Sequence, residues 1–230
     1  MSVKNINSLK YFLDQWETVD PEYNYIVPYH ESIDPNFTSL PTFVAEFKNC
    51  LVNSLPVLVT EDRHMVTEHV WPMLDRYKRK GKKHHGLWDT WGEEINIKMP
   101  PVTKQFDETN KYVWLPIDKH STGNPWHIWI DVISKFRLME KRWSTNFTKY
   151  IYILANPSPY FDMVAKELFP TLKYYVMPEG ETWRFQHLLA PSMSNSQDGI
   201  VTPNLPPWLR HFKGSFGIPE NQKPFRKIFI

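Results

Sequence analysis

Near its start the chain repeats apolar residues at helical spacing, Leu9, Phe12, Leu13 and Trp16, and then meets Asp20-Pro21. Proline disfavours helical backbone in the residue before it, so this pattern predicts a short amphipathic helix that ends there. NYIVPYHES reads as a short strand and turn, and PTFVAEFKNCLVN as a helix opened by Pro41, with Cys50 on its apolar face between Phe47 and Leu51. SLPVLVTEDRHMV holds a β-branched run at residues 57–60, a polar turn at Glu61-Asp62-Arg63 and a second run at 64–66, which predicts a hairpin. LWDTWGEEINIKMPPV reads as a strand closed by Pro100-Pro101, and KYVWLPI, residues 111–117, as another, rich in β-branched and aromatic side chains.

From Asn124 the period changes. NPWHIWIDVISKFRLMEKRW sets Trp126, Trp129, Ile130, Ile133, Phe136 and Met139 on one helical stripe, with Asn124 as N-cap and Pro125 at the first helical position. KYIYILA then reads as a buried strand, NPSP as a turn into the helix YFDMVAKELF, and KYYVM and TWRFQHLLAP as strands. LPPWLRHFKGSF reads as a helix and KIFI as a last strand. Strands alternating with helices predict an α/β fold whose sheet is at least partly parallel. An apolar strand at Phe229-Ile230 with no crossover after it leads to the expectation that the sequence is the front part of a longer protein.

Composition narrows the class. With 230 residues, 15% aromatic and 23% charged, the chain has the apolar content of a globular protein and the length for one large domain or two small ones. Its 27 Lys and Arg against 25 Asp and Glu leave a formal charge of +2, so no overall field draws it to nucleic acid or anionic lipid. The basic run RYKRKGKKHHG, residues 76–86, reads as a solvated loop or a polyanion patch, without the interleaved aromatics of single-strand binders. One cysteine excludes an internal disulfide and fits a reducing compartment, and the first residues lack the continuous apolar stretch of a signal peptide. No run approaches the ~20 apolar residues of a bilayer crossing. The expectation is a cytoplasmic protein without a transmembrane segment, in which the sequons at Asn36 and Asn146 are incidental.

Chemistry concentrates at Asn124, His127 and Asp131. His127 falls in the first turn of the predicted helix, where orphan N–H groups and the positive dipole end disfavour imidazolium and favour the neutral base. Asp131, four residues on, lies one turn down the same face, in reach of one imidazole nitrogen. The pair reads either as a general base held in one tautomer or as an ordinary i,i+4 contact that steadies the helix. Other metal-capable or nucleophilic groups match no established spacing: His64 and His69 with Asp62 and Glu68, the His84-His85 pair, and Cys50, read as a small buried thiol. Glu179, Glu181 and Arg184, and the ANPSP turn at residues 155–159, each follow a strand, the edge where α/β sheets gather ligands. Walker, G-x-G-x-x-G and G-x-S-x-G patterns do not occur.

GNPWHIWIDVISKF resembles the N-x-[YFW]-H-W-x-x-D-x-L-P-R motif of the family 61 glycosyltransferases, with Asn124, Trp126, His127 and Asp131 on its asparagine, aromatic, histidine and aspartate. Ile128 stands where the motif has tryptophan, with Trp129 displaced by one, and Ser134-Lys135 replaces its Pro-Arg. The resemblance extends over residues 43–230, from the early hairpin to KIFI, which is similar to the opening of the family's K-I-Y-I-S-R strand. It implies a GT-B scaffold: a Rossmann-like acceptor-side domain over residues 1–217, then a linker and the first strand of a donor domain over 218–230. It further implies inverting transfer from a nucleotide sugar, such as a UDP-sugar, to a glycan or protein hydroxyl, as in capsule or polysaccharide biosynthesis. His127 would be the base, Asp131 its orienting partner, and Asn124, Trp126 and Lys135 would bind acceptor. No metal or chain-bound cofactor is implied, and this length alone is expected to be inactive for want of the donor domain. The alternative is a non-catalytic carbohydrate-binding or assembly protein that retains the fold.

Overall fold

A computed structural model of the chain describes residues 2–6, 44–66, 94–96, 99–117, 122–143 and 146–191. Ten strands form one hydrogen-bonded series: β1 (Ser2–Ile6), β2 (Val44–Asn53), β3 (Leu58–Val59), β4 (His64–Val66), β5 (Glu94–Asn96), β6 (Val102–Phe106), β7 (Tyr112–Leu115), β8 (Ile151–Leu154), β9 (Lys173–Val176) and β10 (Thr182–Pro191). Their order is β5-β1-β4-β3-β2-β10-β7-β8-β9, with β6 also paired to β10. The pairs β10–β7, β7–β8 and β8–β9 are parallel, and β2–β10, β2–β3 and β3–β4 antiparallel. The mixed α/β class expected from the alternation of elements is what the chain forms, and the hairpin expected around residues 61–63 is β3–β4, with Leu58 opposite Val66.

Parallel strands need crossovers, and the chain supplies helical ones. Between β7 and β8 run α1 (Pro125–His127), a π-helical segment (Ile128–Ile133) and α2 (Ser134–Trp143), followed by a short 3-10 turn (Phe147–Lys149). Between β8 and β9 runs α3 (Pro159–Leu168). Local chemistry starts α3 sharply: Pro159 occupies its first turn, and the Ser158 hydroxyl accepts from Phe161 N at 3.2 Å. Both crossovers bury their apolar faces on the same side of the sheet. Ile128, Val132, Phe136 and Met139 meet Phe161, Val164 and Ala165 there, over Val113, Leu115, Tyr152 and Leu154. Phe136 stacks on Phe147 at 5.1 Å and meets Phe169 and Tyr152 edge-on at 5.5 and 4.7 Å. Burying each such side chain is worth about 1.5–3 kcal/mol.

The other face of the parallel strands is covered by strands instead. β2 and β10 pair along their whole length, but both lose the period-2 alternation at one level. Ala45 and Phe47 face the second core, and so do Cys50 and Val52. On the partner strand Leu188 and Ala190 do so, and also Trp183 and Phe185. At the level of Asn49 and Gln186 both strands exchange their inward and outward faces while the register between them stays constant, the mark of a bent corner where the ribbon folds over. Asn49 carries the positive φ of 50° that the bend requires. Leu188 and Leu189 lie level with Tyr112 and Val113, at the start of β7, so the corner sits at the N-terminal edge. Past it the ribbon returns: the Ser54 carbonyl and the Ile117 carbonyl, beyond the end of β7, accept from the same Asn156 amide at 2.9 and 2.7 Å. The folded ribbon thus encloses the second core, with Trp114, Ile153, Met177 and Leu58 filling it.

One expectation is corrected here. Residues 44–53 are strand, not helix: Val44, Phe47 and Leu51 fall at helical spacing, yet in the strand Val44 packs in the helix-covered core and Phe47 in the other. Among the described residues the helices lie on one face of the sheet and strands cover the other. The helices expected near Leu9 and at LPPWLRHFKGSF, the basic run, the KIFI strand and the boundary at residue 218 lie outside the described residues.

Candidate functional site

β7, β8 and β9 all run out at one edge, and the loops beyond them are tied to one another. Asn156, 6% exposed, bridges the ribbon end at Ser54 to Ile117. Ser158, fully buried, donates to the Thr122 carbonyl at 2.7 Å while it caps α3. Gly180, at φ 81°, turns the chain from β9 into β10 and donates its N–H to the Ser54 hydroxyl at 2.9 Å. Between these loops opens a cavity of about 410 Å³, walled by Thr122, Asn156, Pro157 and residues 176–179. It lies at the C-terminal ends of parallel strands, where α/β sheets bind ligands.

The loop that contributes Thr122 runs on to Asn124 and Pro125 and starts α1. The Asn124 carbonyl accepts from Ile128 N at 3.3 Å, the first bond of the helix. His127 therefore sits in the opening turn, at the same edge as the cavity, as its spacing from Asn124 predicts. Its Nδ1 lies 2.7 Å from Asp131 Oδ2, with the two side chains 39% and 17% exposed. With Nδ1–H donating to the carboxylate, the neutral imidazole carries its lone pair on Nε2. The stretch from His127 to Asp131 enters the π-helical segment, a widened turn that recurs at functional sites.

Lys135 stands four residues beyond Asp131. The resemblance implied a contact with acceptor, yet Lys135 is 2% exposed, in a stretch where Ile133, Phe136 and Leu138 are buried as well. Desolvation drives its pKa down to about 8, against the opposing pull of Asp131. Of the five site residues expected, His127 and Asp131 are bonded to each other, and Lys135 lies four residues beyond Asp131 on the same helical run. Asn124 is exposed at its start, and the side chain of Trp126 lies outside what is described.

The remaining candidates separate. Glu179 lines the cavity. Glu181 is committed to structure: its carboxylate accepts from Thr103 Oγ1 at 2.9 Å and Trp183 Nε1 at 2.5 Å, and these bonds hold its pKa below the usual range. Arg184 is exposed along β10. Cys50 is fully buried on β2, where burial pushes its thiol far above the usual range and leaves it unreactive. Asp62 accepts from the Thr60 hydroxyl in the β3–β4 turn, while Glu68, His69, His84 and His85 lie outside the described residues. Among the described residues no three metal-capable side chains gather, and no helix is long and apolar enough to cross a membrane. Of the cavity's lining, sequence reading pointed to Asn156, Pro157 and Glu179 at strand ends and missed Thr122, Val176 and Met177, ordinary residues brought together only by the sheet edge.

No protein-family model, curated protein or solved structure matches the chain.

Proposed function

We propose that the chain carries the acceptor-side site of an inverting glycosyltransferase, with His127 as the general base and Asp131 as the residue that orients it. The observation that carries this reading is the 2.7 Å bond from His127 Nδ1 to Asp131 Oδ2, in the first turn of a helix at the ligand-binding edge of parallel strands. Asp131 selects the tautomer, so Nε2 takes the proton of an acceptor hydroxyl. The hydroxyl oxygen forms its bond to the anomeric carbon from the face opposite the leaving group, and the bond to the nucleoside diphosphate breaks with its electron pair on the phosphate oxygen. The cavity of about 410 Å³ beside Thr122 is of a size to seat a sugar unit of the acceptor. Acceptor binding by Asn124 and Trp126 rests on the motif resemblance, as does the Rossmann-like, GT-B assignment. The nucleotide sugar is the co-substrate of this reading, and the acceptor is a glycan or protein hydroxyl.

The test is sugar transfer by the full-length natural protein, from a panel of labelled nucleotide sugars to glycan and glycoprotein acceptors, compared with His127→Ala. A general base contributes about 10²–10⁴ in rate, so a loss of that size at unchanged thermal stability is expected. Undiminished turnover in the variant removes His127 from the chemistry. Glycan binding by both proteins with no donor consumed by either favours the non-catalytic carbohydrate-binding alternative.

A further inference from the structure

We infer that the cavity at the ends of β8 and β9 takes a ligand rich in hydrogen-bond donors, and that it favours a cationic amino sugar over an acidic one. The inference rests on the acceptor-site reading for the word sugar, and it is tested by binding rather than by transfer. Its footing is Asn156, which walls the cavity and is 6% exposed. The side-chain nitrogen of Asn156 spends both of its hydrogens inside the protein, on the Ser54 carbonyl at 2.9 Å and the Ile117 carbonyl at 2.7 Å. Two carbonyl partners fix which end of the amide is nitrogen, so Oδ1 is an acceptor held in one orientation. Among the described residues no donor meets that oxygen. A buried acceptor without a donor costs free energy until water or a ligand supplies one.

The rest of the wall has the same polarity. Glu179 brings a carboxylate, which when ionised only accepts, and Pro157 and Pro178 have no backbone N–H to offer. The Met177 N–H is spent on the Leu154 carbonyl at 2.9 Å. At the start of α3, Pro159 again lacks a donor and Phe161 N is taken by the Ser158 hydroxyl. Strand ends and helix starts bind phosphate or carboxylate through such donors, and here they are missing or used. Among the described residues that wall the cavity none is Lys, Arg or His, so no cation replaces them. Thr122 adds a hydroxyl that can give or take, and Val176, Met177 and the two prolines make an apolar bed for the C–H face of a ring. A ligand hydroxyl or ammonium therefore finds its acceptor at Asn156, and an ammonium gains the field of Glu179 as well. For an exposed carboxylate that gain is about 2- to 5-fold in affinity.

The experiment is an NMR titration of the full-length protein with the methyl glycosides of glucosamine, glucose and glucuronic acid and with inorganic phosphate, each taken to tens of millimolar. It is read at the backbone amides of Asn156, Val176, Met177 and Glu179, for wild type and Glu179→Gln. The expected order of affinity is glucosaminide, glucoside, glucuronide, with the amine ahead of the neutral sugar by about 2- to 5-fold and phosphate without effect. Glu179→Gln, a change in an exposed turn, should abolish the advantage of the amine and leave the glucoside as it was. Glucuronide or phosphate binding as tightly as the glucosaminide overturns the inference. So does the lack of a saturable shift with the glucosaminide, or an amine preference that persists in Glu179→Gln. Amine-selective binding with no sugar transfer by wild type leaves this inference and removes the transferase reading; transfer that depends on His127 with no binding at these amides does the reverse.

Discussion

Taking the Lys135 ammonium out of water lowers its pKa from 10.5 to about 8, and that difference is a stability statement. Below pH 8 the folded chain holds the proton in a poor environment while the unfolded chain holds it in water, so the full penalty applies. Between about 8 and 10.5 the folded form releases the proton first and the penalty fades; the contribution is therefore present above 10.5 and lost as pH falls through 8. Shifts of this size correspond to about 3 kcal/mol as an upper figure. Lys135→Met, which keeps the side-chain volume, is expected to stabilise the protein by roughly 1–3 kcal/mol in urea unfolding at pH 7, with the gain shrinking toward pH 10. The difference between the two proteins isolates Lys135, because the buried Cys50 thiol pulls wild-type stability down with rising pH in both. A stability gain over wild type no larger at pH 7 than at pH 10 refutes the account. The His127–Asp131 pair was legible in sequence, since any helix brings residues four apart together. The burial of Lys135 was not, because a lysine after a serine reads as surface until the neighbouring turn is known.

That turn belongs to the elements. Of the helical stripe counted at 3.6 residues, Ile133, Phe136 and Met139 are buried as expected, whereas the count misses Ile128 and Val132, which are buried as well. The π-helical segment underwinds the chain there and rotates the burial pattern, which no fixed-period count detects. β7, β8, α3, β9 and β10 were legible because their apolar runs end in Pro, Asn or Gly, although β10 loses its alternation at Gln186. β6 was not: of its five residues only Val102 and Phe106 are even half-buried, so it shows no alternation. Among the legible elements α3 has the sharpest start, and its cap has a second duty. Ser158 satisfies Phe161 N and also donates to the Thr122 carbonyl, joining the helix to the loop that leads to His127. Ser158→Ala is expected to cost about 2–3 kcal/mol, the sum of a lost cap and an orphaned carbonyl, in chemical denaturation. Hydrogen exchange should quicken in the first turn of α3 and in residues 122–124 alike. A cost below about 0.5 kcal/mol would mean that water replaces the serine at both positions.

At the scale of the whole molecule, everything turns on one corner. The β2–β10 ribbon contributes to the helix-covered core through Val44 and Leu189, and to the strand-enclosed core through both of its halves. Its return past Asn49 is what brings Ser54 to Asn156 and so builds the floor of the cavity's edge. Asn49 adopts φ 50°, a region asparagine enters readily and β-branched residues avoid, and its amide bonds the Glu61 carboxylate at 3.2 Å. Two substitutions separate these roles. Asn49→Gly removes the bond to Glu61 but keeps the backbone free, and is expected to change stability by no more than about 0.5 kcal/mol, the worth of an exposed polar contact. Asn49→Val removes the same bond and also opposes the positive φ, which costs about 1–3 kcal/mol. Because the corner joins the two cores, amide protection in β8 and in β10 should fall together and by the same factor in the valine protein. Valine tolerated as well as glycine, or protection lost in β10 while β8 keeps its own, would show that the fold does not hinge on this residue.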